Sequence, residues 1–330
     1  MPRFMTLFKR SFSIKLILLA AGLLAFGTPS LGWAFSVETL PNTEVKNDFV
    51  LGPGKTEIFL NPGDTAVREL IVTNRTGRDV QFKIEVEDFV GTRDPERTTV
   101  LLGNERGPYS LRDYVKPERS EFVLAHGERA RVSIEVRIPY DASPGGRYGT
   151  VLLSAQPPAT NIDNDPGAAQ GGAKIITRLG TLFFVRVAGE VSEDGRLYAF
   201  RTFGKRFFSS GPISFEVLYE NNGNVHLNPY GLIEITNMFG NKIGKIEVDP
   251  WFAMPNSLRF REVRWDKPFL FGRYRAHGEF NRGYGDLIDE ADTVFWVVPW
   301  RILLLSFVAL FLIVLLFRWI ISKFEFRRKI

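Results

Sequence analysis

Between about Asn47 and Gly285, apolar and polar residues alternate along the chain with a period close to two. Val67, Leu70 and Val72, then Val80, Phe82, Ile84 and Val86, and later Val132, Ile134, Val136 and Ile138 are each interleaved with polar or charged side chains. Alternation of this kind predicts strands with one face in a core and the other in water. Turn-forming clusters punctuate the runs: Asn61-Pro62-Gly63-Asp64, Asn74-Arg75-Thr76-Gly77, His126-Gly127-Glu128 and Pro144-Gly145-Gly146. No amphipathic helical stretch of useful length precedes residue 290. Short strands at regular spacing with such turns predict an all-β body of two tandem immunoglobulin-like β-sandwiches.

The first sandwich is expected over residues 47–190, after an N-terminal linker at 35–46. Its last two strands, Tyr148–Ala155 and Ile175–Val187, flank a Pro/Ala/Gly/Asn/Gln-rich loop from Gln156 to Ala173. Val191-Ser192-Glu193-Asp194-Gly195 reads as the hinge, and the second sandwich runs over 191–285, followed by a juxtamembrane linker at 286–293. The two halves open alike. Leu70 to Asn74-Arg75-Thr76-Gly77 and Phe215 to Asn221-Asn222-Gly223 each carry an alternating strand into an Asn/Gly turn, which suggests an internal repeat, although any hairpin shows some of this.

The two ends differ from the body. Arg3, Lys9 and Arg10 precede an apolar run from Ile14 to Phe26, and Gly32-Trp33-Ala34 offers small residues before a cut, so residues 1–34 read as a signal peptide, with an uncleaved anchor as the rival reading. Near the other end, Ile302 to Phe317 holds sixteen uncharged residues. With Arg318 to Ile321 it reaches about 30 Å, the thickness of a hydrocarbon core. A transmembrane helix is therefore expected over 294–321, with a basic tail at 322–330. Trp296, Trp300 and Trp319 stand where interfacial aromatics collect. Arg318, Lys323, Arg327, Arg328 and Lys329 place the tail in the cytoplasm of a plasma-membrane protein with its N-terminal domains outside.

Charge then changes meaning. The net +5 and the pI near 9.3 suggest a nucleic-acid partner. Setting aside the four basic residues of 1–34, and the six basic residues and Glu325 of 301–330, leaves 32 basic against 36 acidic residues in the body. The basicity belongs to the ends, and nucleic-acid binding loses its motivation.

Candidate chemistry is sparse. The chain has no cysteine, so thiolate metal sites, disulfides and cysteine nucleophiles are excluded. His126, His226 and His277 have no partners nearby in sequence and read as surface or turn residues. Asn161-Ile162-Asp163-Asn164-Asp165-Pro166-Gly167 carries a trace of a calcium loop, but its glycine is misplaced and residue 172 is Gly where a bidentate Glu belongs. Glu85 and Glu87, and Asp286 and Asp289, read as solvent-facing carboxylates. Asn74-Arg75-Thr76 is a glycosylation sequon in form. No catalytic residue, cofactor site, metal site or small-molecule substrate is expected. Trp251-Phe252, between Asp249-Pro250 and Met254-Pro255, falls in a proline-bounded stretch unsuited to a strand, and is the candidate for a partner-binding loop.

Several stretches carry a family resemblance. In the first half these are Pro53-Gly54, Asn61 to Asp64, Val72-Thr73-Asn74, Val80 to Asp88, His126 to Glu128, and Ile138-Pro139 to Gly149. In the second half they are Glu220 to Leu227, Gly231 to Asn237, Phe239 to Lys242, Pro255 to Phe260, and Gly272 to Tyr274. Together the chain resembles the WxL-interacting surface proteins of Gram-positive bacteria. The resemblance implies a first domain associated with peptidoglycan and a second with partner proteins. It carries over no binding residue.

The expected function is thus a membrane-anchored binding or scaffolding protein of the cell envelope. It would contact a cell-wall polymer or an envelope protein through sheet edges and loops. The alternative is a chaperone-like accessory that lends a strand edge to secreted subunits. An enzyme is the remaining and least favoured class.

Overall fold

The computed structural model describes residues 35–94, 97–156 and 176–323. The first half holds β1 (Ser36–Thr39), β2 (Asp48–Gly52), β3 (Lys55–Leu60), β4 (Thr65–Arg75) and β5 (Val80–Gly91). The short β6 (Thr99–Leu101), β7 (Val115–Pro117) and β8 (Glu121–Leu124) follow, and then the long β9 (Glu128–Arg137), β10 (Gly145–Gln156) and β11 (Thr177–Val187). One sheet runs β1–β9–β4–β2 with β7 also on β9; the other runs β3–β11–β10–β5–β6 with β8 also on β5. The alternation works as read: Leu70, Val72, Val132, Ile134 and Val136 of one sheet meet Phe82, Ile84, Val151, Leu153, Phe183 and Val185 of the other. Each such side chain contributes about 1.5–3 kcal/mol on burial. Residues 35–46, expected as linker, begin with a paired strand. The β1 side chains are exposed, so no apolar period marked it, and its ladder with Glu128–Arg131 of β9 makes it.

The second half holds β12 (Gly195–Thr202), β13 (Phe207–Phe208), β14 (Ile213–Asn221), β15 (Tyr230–Asn237), β16 (Lys242–Val248), β17 (Ser257–Trp265), β18 (Gly272–Asn281) and β19 (Ile288–Val297). A three-stranded sheet, β12–β14–β17, faces a five-stranded one, β13–β19–β18–β15–β16. The expected linker at 286–293 is mostly β19. Its acids disguised the period: Thr293, Phe295 and Val297 turn into the core, whereas Asp292 on the outer face is held by Arg275 at 2.6 and 2.9 Å. The sandwich therefore ends at Val297, and α1 (Trp300–Lys323) starts six residues later than expected. At 1.5 Å per residue its 24 residues span about 36 Å. It is the one helix among the described residues long and apolar enough to cross a membrane, and none of it is buried against the sandwiches.

The suspected repeat has a physical counterpart. Asn74 and Asn221 are both fully buried at the ends of β4 and β14. Asn74 Nδ2 donates to Arg78 O (2.8 Å) and to Leu124 O (2.9 Å), while its Oδ1 accepts from Thr76 N–H (2.9 Å). Asn221 Nδ2 donates to Val225 O (2.8 Å) and Ala253 O (2.9 Å), and its Oδ1 accepts from Gly223 N–H (2.9 Å). One amide thus closes its own turn and ties it to a distant segment, once in each sandwich. The Asn74 sequon is unavailable in the folded protein, because the nitrogen a glycan needs is buried and already donating twice.

Candidate partner-binding site

Trp251 and Phe252 do lie outside any strand, but neither is offered to a partner. Trp251 is 4 % exposed and belongs to the second core, edge-on to Tyr219 with ring centroids 6.3 Å apart. Phe252 is half-buried at the junction of the sandwiches, 5.2 Å from the Phe184 ring and 5.2 Å from the Arg259 guanidinium. The prolines kept this stretch out of the ladder, and the apolar side chains then packed inward as a plug.

That plug is part of a packed junction. Phe89, Tyr148 and Phe184 of the first sandwich cluster with Met254 of the second. Tyr148 Oη accepts the backbone N–H of His226 at 2.6 Å, and burial pushes its phenol well above the usual tyrosine range. Leu258 N–H donates to Thr92 O (3.0 Å), Gly146 N–H to Asn224 O (3.0 Å), and Asn256 Nδ2 to Tyr109 Oη (3.0 Å). Arg93 pairs with Glu220, which also holds Arg196 at 2.6 Å. Gly91 is required here, since a Cβ on it would stand 2.5 Å from Met254 and 2.7 Å from Ser257. The stretch expected as a hinge is fastened too: Ser192 N–H donates to Asn224 Oδ1 (2.9 Å), and Arg186 pairs with Glu193 at 2.8 Å.

His226, expected at the surface, is buried in this junction 3.9 Å from Glu57. Attraction to His226, and to Lys55 at 2.7 Å, lowers the Glu57 carboxyl from the ordinary 4.5 to about 2. A group whose folded pKa is depressed stabilises the fold above its unfolded pKa, and that contribution is lost as pH falls through the folded one. The expected result is that Glu57→Gln is less stable than wild type at pH 6 and that the gap closes between pH 4.5 and 2. Urea midpoints of the two proteins across that range measure it. A gap independent of pH would show that the carboxylate's charge is not what matters.

The open feature of the first sandwich lies at β11. Chain direction explains it: β3 pairs with β11 only from Lys55↔Leu182 to Leu60↔Val187, because the preceding residues cross to the other sheet as β2. Thr177–Thr181 pairs with β10 on one side, and among the described residues no strand pairs with its other side. Leu182 N–H donates outward to Gly54 O at 3.0 Å. Strand parity then aims the backbone groups of Arg178 and Gly180 at the same free edge. Beside this edge is a cleft of about 300 Å³, with Phe49, Val80, Ala155 and Leu179 as apolar lining and Asn47, Asp48, Thr76 and Arg78 as polar rim. Leu179 is 38 % exposed, while Phe49 is buried in the core beneath the cleft. Asp48 is neutralised by Arg75 through paired bonds of 2.8 and 2.7 Å, and Arg178 is engaged by Glu85 at 2.5 Å. Sequence reasoning missed this edge. Its only sequence trace was Gly52-Pro53-Gly54, which interrupts the alternation where the chain changes sheets.

The other expected residues fall as follows. Trp296 closes β19, and Trp300 and Trp319 stand near the two ends of α1, all exposed. Arg318 and Lys323 are on α1, whereas Arg327, Arg328 and Lys329 lie outside the described residues, as do the signal peptide and the calcium-like loop at 161–167. His126 accepts the Gly77 N–H at 3.1 Å and lies 3.0 Å from Thr43 O, a turn fastener as expected; His277 sits beside Asp292 at 3.0 Å and Glu279 at 3.5 Å on an exposed sheet face.

No family model matches the chain, and no curated protein matches it. Similar solved structures include the class 5 fimbriae chaperone CfaA, at 12 % identity and a TM-score of 0.37, covering 75 % of this chain and 99 % of that one. A chain of the CsuC–CsuE chaperone–tip adhesion subunit complex of Acinetobacter baumannii gives 10 % identity and a TM-score of 0.35, covering 74 % and 98 %. The E. coli chaperone DraB gives 15 % and 0.33, covering 74 % and 95 %. At these values the likeness carries no argument about this chain.

Proposed function

We propose that the protein is a non-catalytic binding and scaffolding protein, anchored by α1 with both sandwiches outside the cytoplasm. It takes an extended segment of another envelope protein as an added strand along Thr177–Thr181. The observation that carries this reading is the half-strand left without a second partner strand among the described residues where the chain crosses between sheets from β2 to β3. A peptide laid there gains main-chain hydrogen bonds to Arg178 and Gly180, and its alternate side chains enter the cleft between Phe49 and Leu179. The orientation proposed is supported by Lys323 at the end of the apolar helix and Arg327, Arg328 and Lys329 after it, which favour a cytoplasmic C-terminus.

The test is a photo-crosslinker at Leu179 in intact cells, with the adducts mapped. An adduct to one extended protein segment is expected, and Leu179→Glu is expected to weaken its binding at least tenfold, about 1.4 kcal/mol. Protection of the Arg178 and Gly180 amides from hydrogen exchange in the complex would identify the added strand. A partner that turns over within minutes would make the protein an assembly accessory instead of a scaffold. Adducts to wall glycan, with saturable retention on sacculi, would replace the protein partner by the cell-wall polymer.

A further inference from the structure

The second sandwich carries its exposed phenylalanines at one end. Strand direction defines that end: Gly272 of β18 pairs with Val297 of β19, Asn237 of β15 with Tyr274, and Ile213 of β14 with Trp265 of β17. The β12–β14, β15–β16 and β17–β18 connections therefore all lie where β19 ends. At their tips Phe207 is 70 % exposed, Phe239 80 % and Phe269 70 %, with Phe271 and Trp296 exposed beside them. The connections at the opposite end, residues 222–229, 249–256 and 282–287, meet the first sandwich or solvent and contain one phenylalanine, Phe252, which is packed in the junction.

This end is also where α1 leaves. Only Val298 and Pro299 separate β19 from the helix, and the strand side of that step is strapped to the β12–β14 connection: Trp296 N–H donates to Arg206 O and Val298 N–H to Phe208 O, each at 2.8 Å. If the helix is inserted, Phe207 is carried to the level of the headgroups. The same connections hold Lys205, Arg206 and Lys267 against a single acid, Asp266, which pairs with Arg264 at 2.6 Å; Arg273 follows at the start of β18, while Lys242 at the start of β16 is paired with Glu234 at 2.7 Å. The body of the protein as a whole is acidic, so this local excess of cations is a feature of this end.

We propose that this end of the second sandwich is seated on the lipid bilayer, with Phe207, Phe239 and Phe269 in the interfacial region and the surrounding Lys and Arg on anionic headgroups. The sandwich stands on the membrane as a fixed foot, and the packed junction holds the first sandwich away from it. The inference rests on the anchored reading of α1.

The protein has no cysteine, so single-cysteine labelling is free of background. Full-length Phe239→Cys, Phe269→Cys, Leu287→Cys and Leu312→Cys variants, each carrying one environment-sensitive fluorophore, are reconstituted in vesicles of phosphatidylglycerol and phosphatidylethanolamine. Quenching is read with headgroup-region nitroxide lipid and with aqueous iodide. Leu287, exposed at the far end of β19 about 30 Å away, is the control. Severalfold stronger lipid quenching at Phe239→Cys and Phe269→Cys than at Leu287→Cys, with shielding from iodide, is expected. Equal access to iodide at all three sites would overturn the proposal. Shielding from iodide without lipid quenching would overturn it in favour of a second copy of the chain as the occupant. A Leu312→Cys label that escapes acyl-chain nitroxides would show that the helix is not inserted, and would remove both readings together.

Discussion

Trp251→Ala is expected to cost the second sandwich about 3–5 kcal/mol, measured as a loss in the urea midpoint of the full-length protein in detergent. The side chain is 4 % exposed among Tyr219, Val225 and Leu227, and its removal opens a cavity that a closed two-sheet core has little room to collapse into. The indole Nε1 has no hydrogen-bond partner among the described residues, so truncation strands no second polar group and the loss is one of packing. Trp251→Phe, which also removes that unsatisfied N–H, is expected to be much milder. Phe252→Ala acts elsewhere: it removes contacts to Phe184 and Lys55 across the junction, so the two sandwiches are expected to unfold less cooperatively without either core being emptied. A wild-type urea midpoint in the Trp251→Ala protein would mean that the loop is not a core plug.

Asn221→Ala and Asn74→Ala are each expected to destabilise by about 2–4 kcal/mol, because Asn221 makes three buried hydrogen bonds and Asn74 four, one buried and three partly buried, and their loss leaves backbone groups without partners. The discriminating substitution is Asp. At an ordinary turn Asn→Asp is mild. Here the Nδ2 group faces two carbonyl oxygens, Val225 O and Ala253 O at Asn221, and Arg78 O and Leu124 O at Asn74. A buried carboxylate oxygen in that place meets two acceptors, so Asp is expected to be as damaging as Ala or worse. An Asp variant as stable as wild type would show that the amide donates to neither carbonyl in solution. Asn221→Ala should also loosen the junction, since its partner Ala253 adjoins Phe252 and Met254, whereas Asn74→Ala should leave the junction intact.

The repeat of these two asparagines illustrates what was legible along the chain. An alternating strand running into an Asn/Gly turn is a local pattern, so both turns were visible, although in the fold neither closes a hairpin and each carries the chain from one sheet to the other. The carbonyls of Leu124 and Ala253, lying 50 and 32 residues away, are not local, and nothing along the chain marked them. The same division explains Trp251 and Phe252. Flanking prolines announce a segment without a ladder, but where the side chains of such a segment point is decided by whatever the fold brings beside it. The β19 strand was obscured for another reason: Asp292 on the outer face, held by Arg275, and Asp289 on the inner face, held by Arg282 and the Leu197 N–H, make a half-buried strand look like a polar linker.

By itself the sequence determined the class of fold, the presence of two sandwiches and the apolar helix, because period-two alternation and an uninterrupted apolar run are local consequences of what each residue does in water. Tertiary structure alone decided the packed junction around Tyr148 and His226, the free half of β11 and the ring of phenylalanines beside the helix. Each depends on residues far apart in the chain meeting at one end of a sheet, and strand direction and pairing, not composition, place them there.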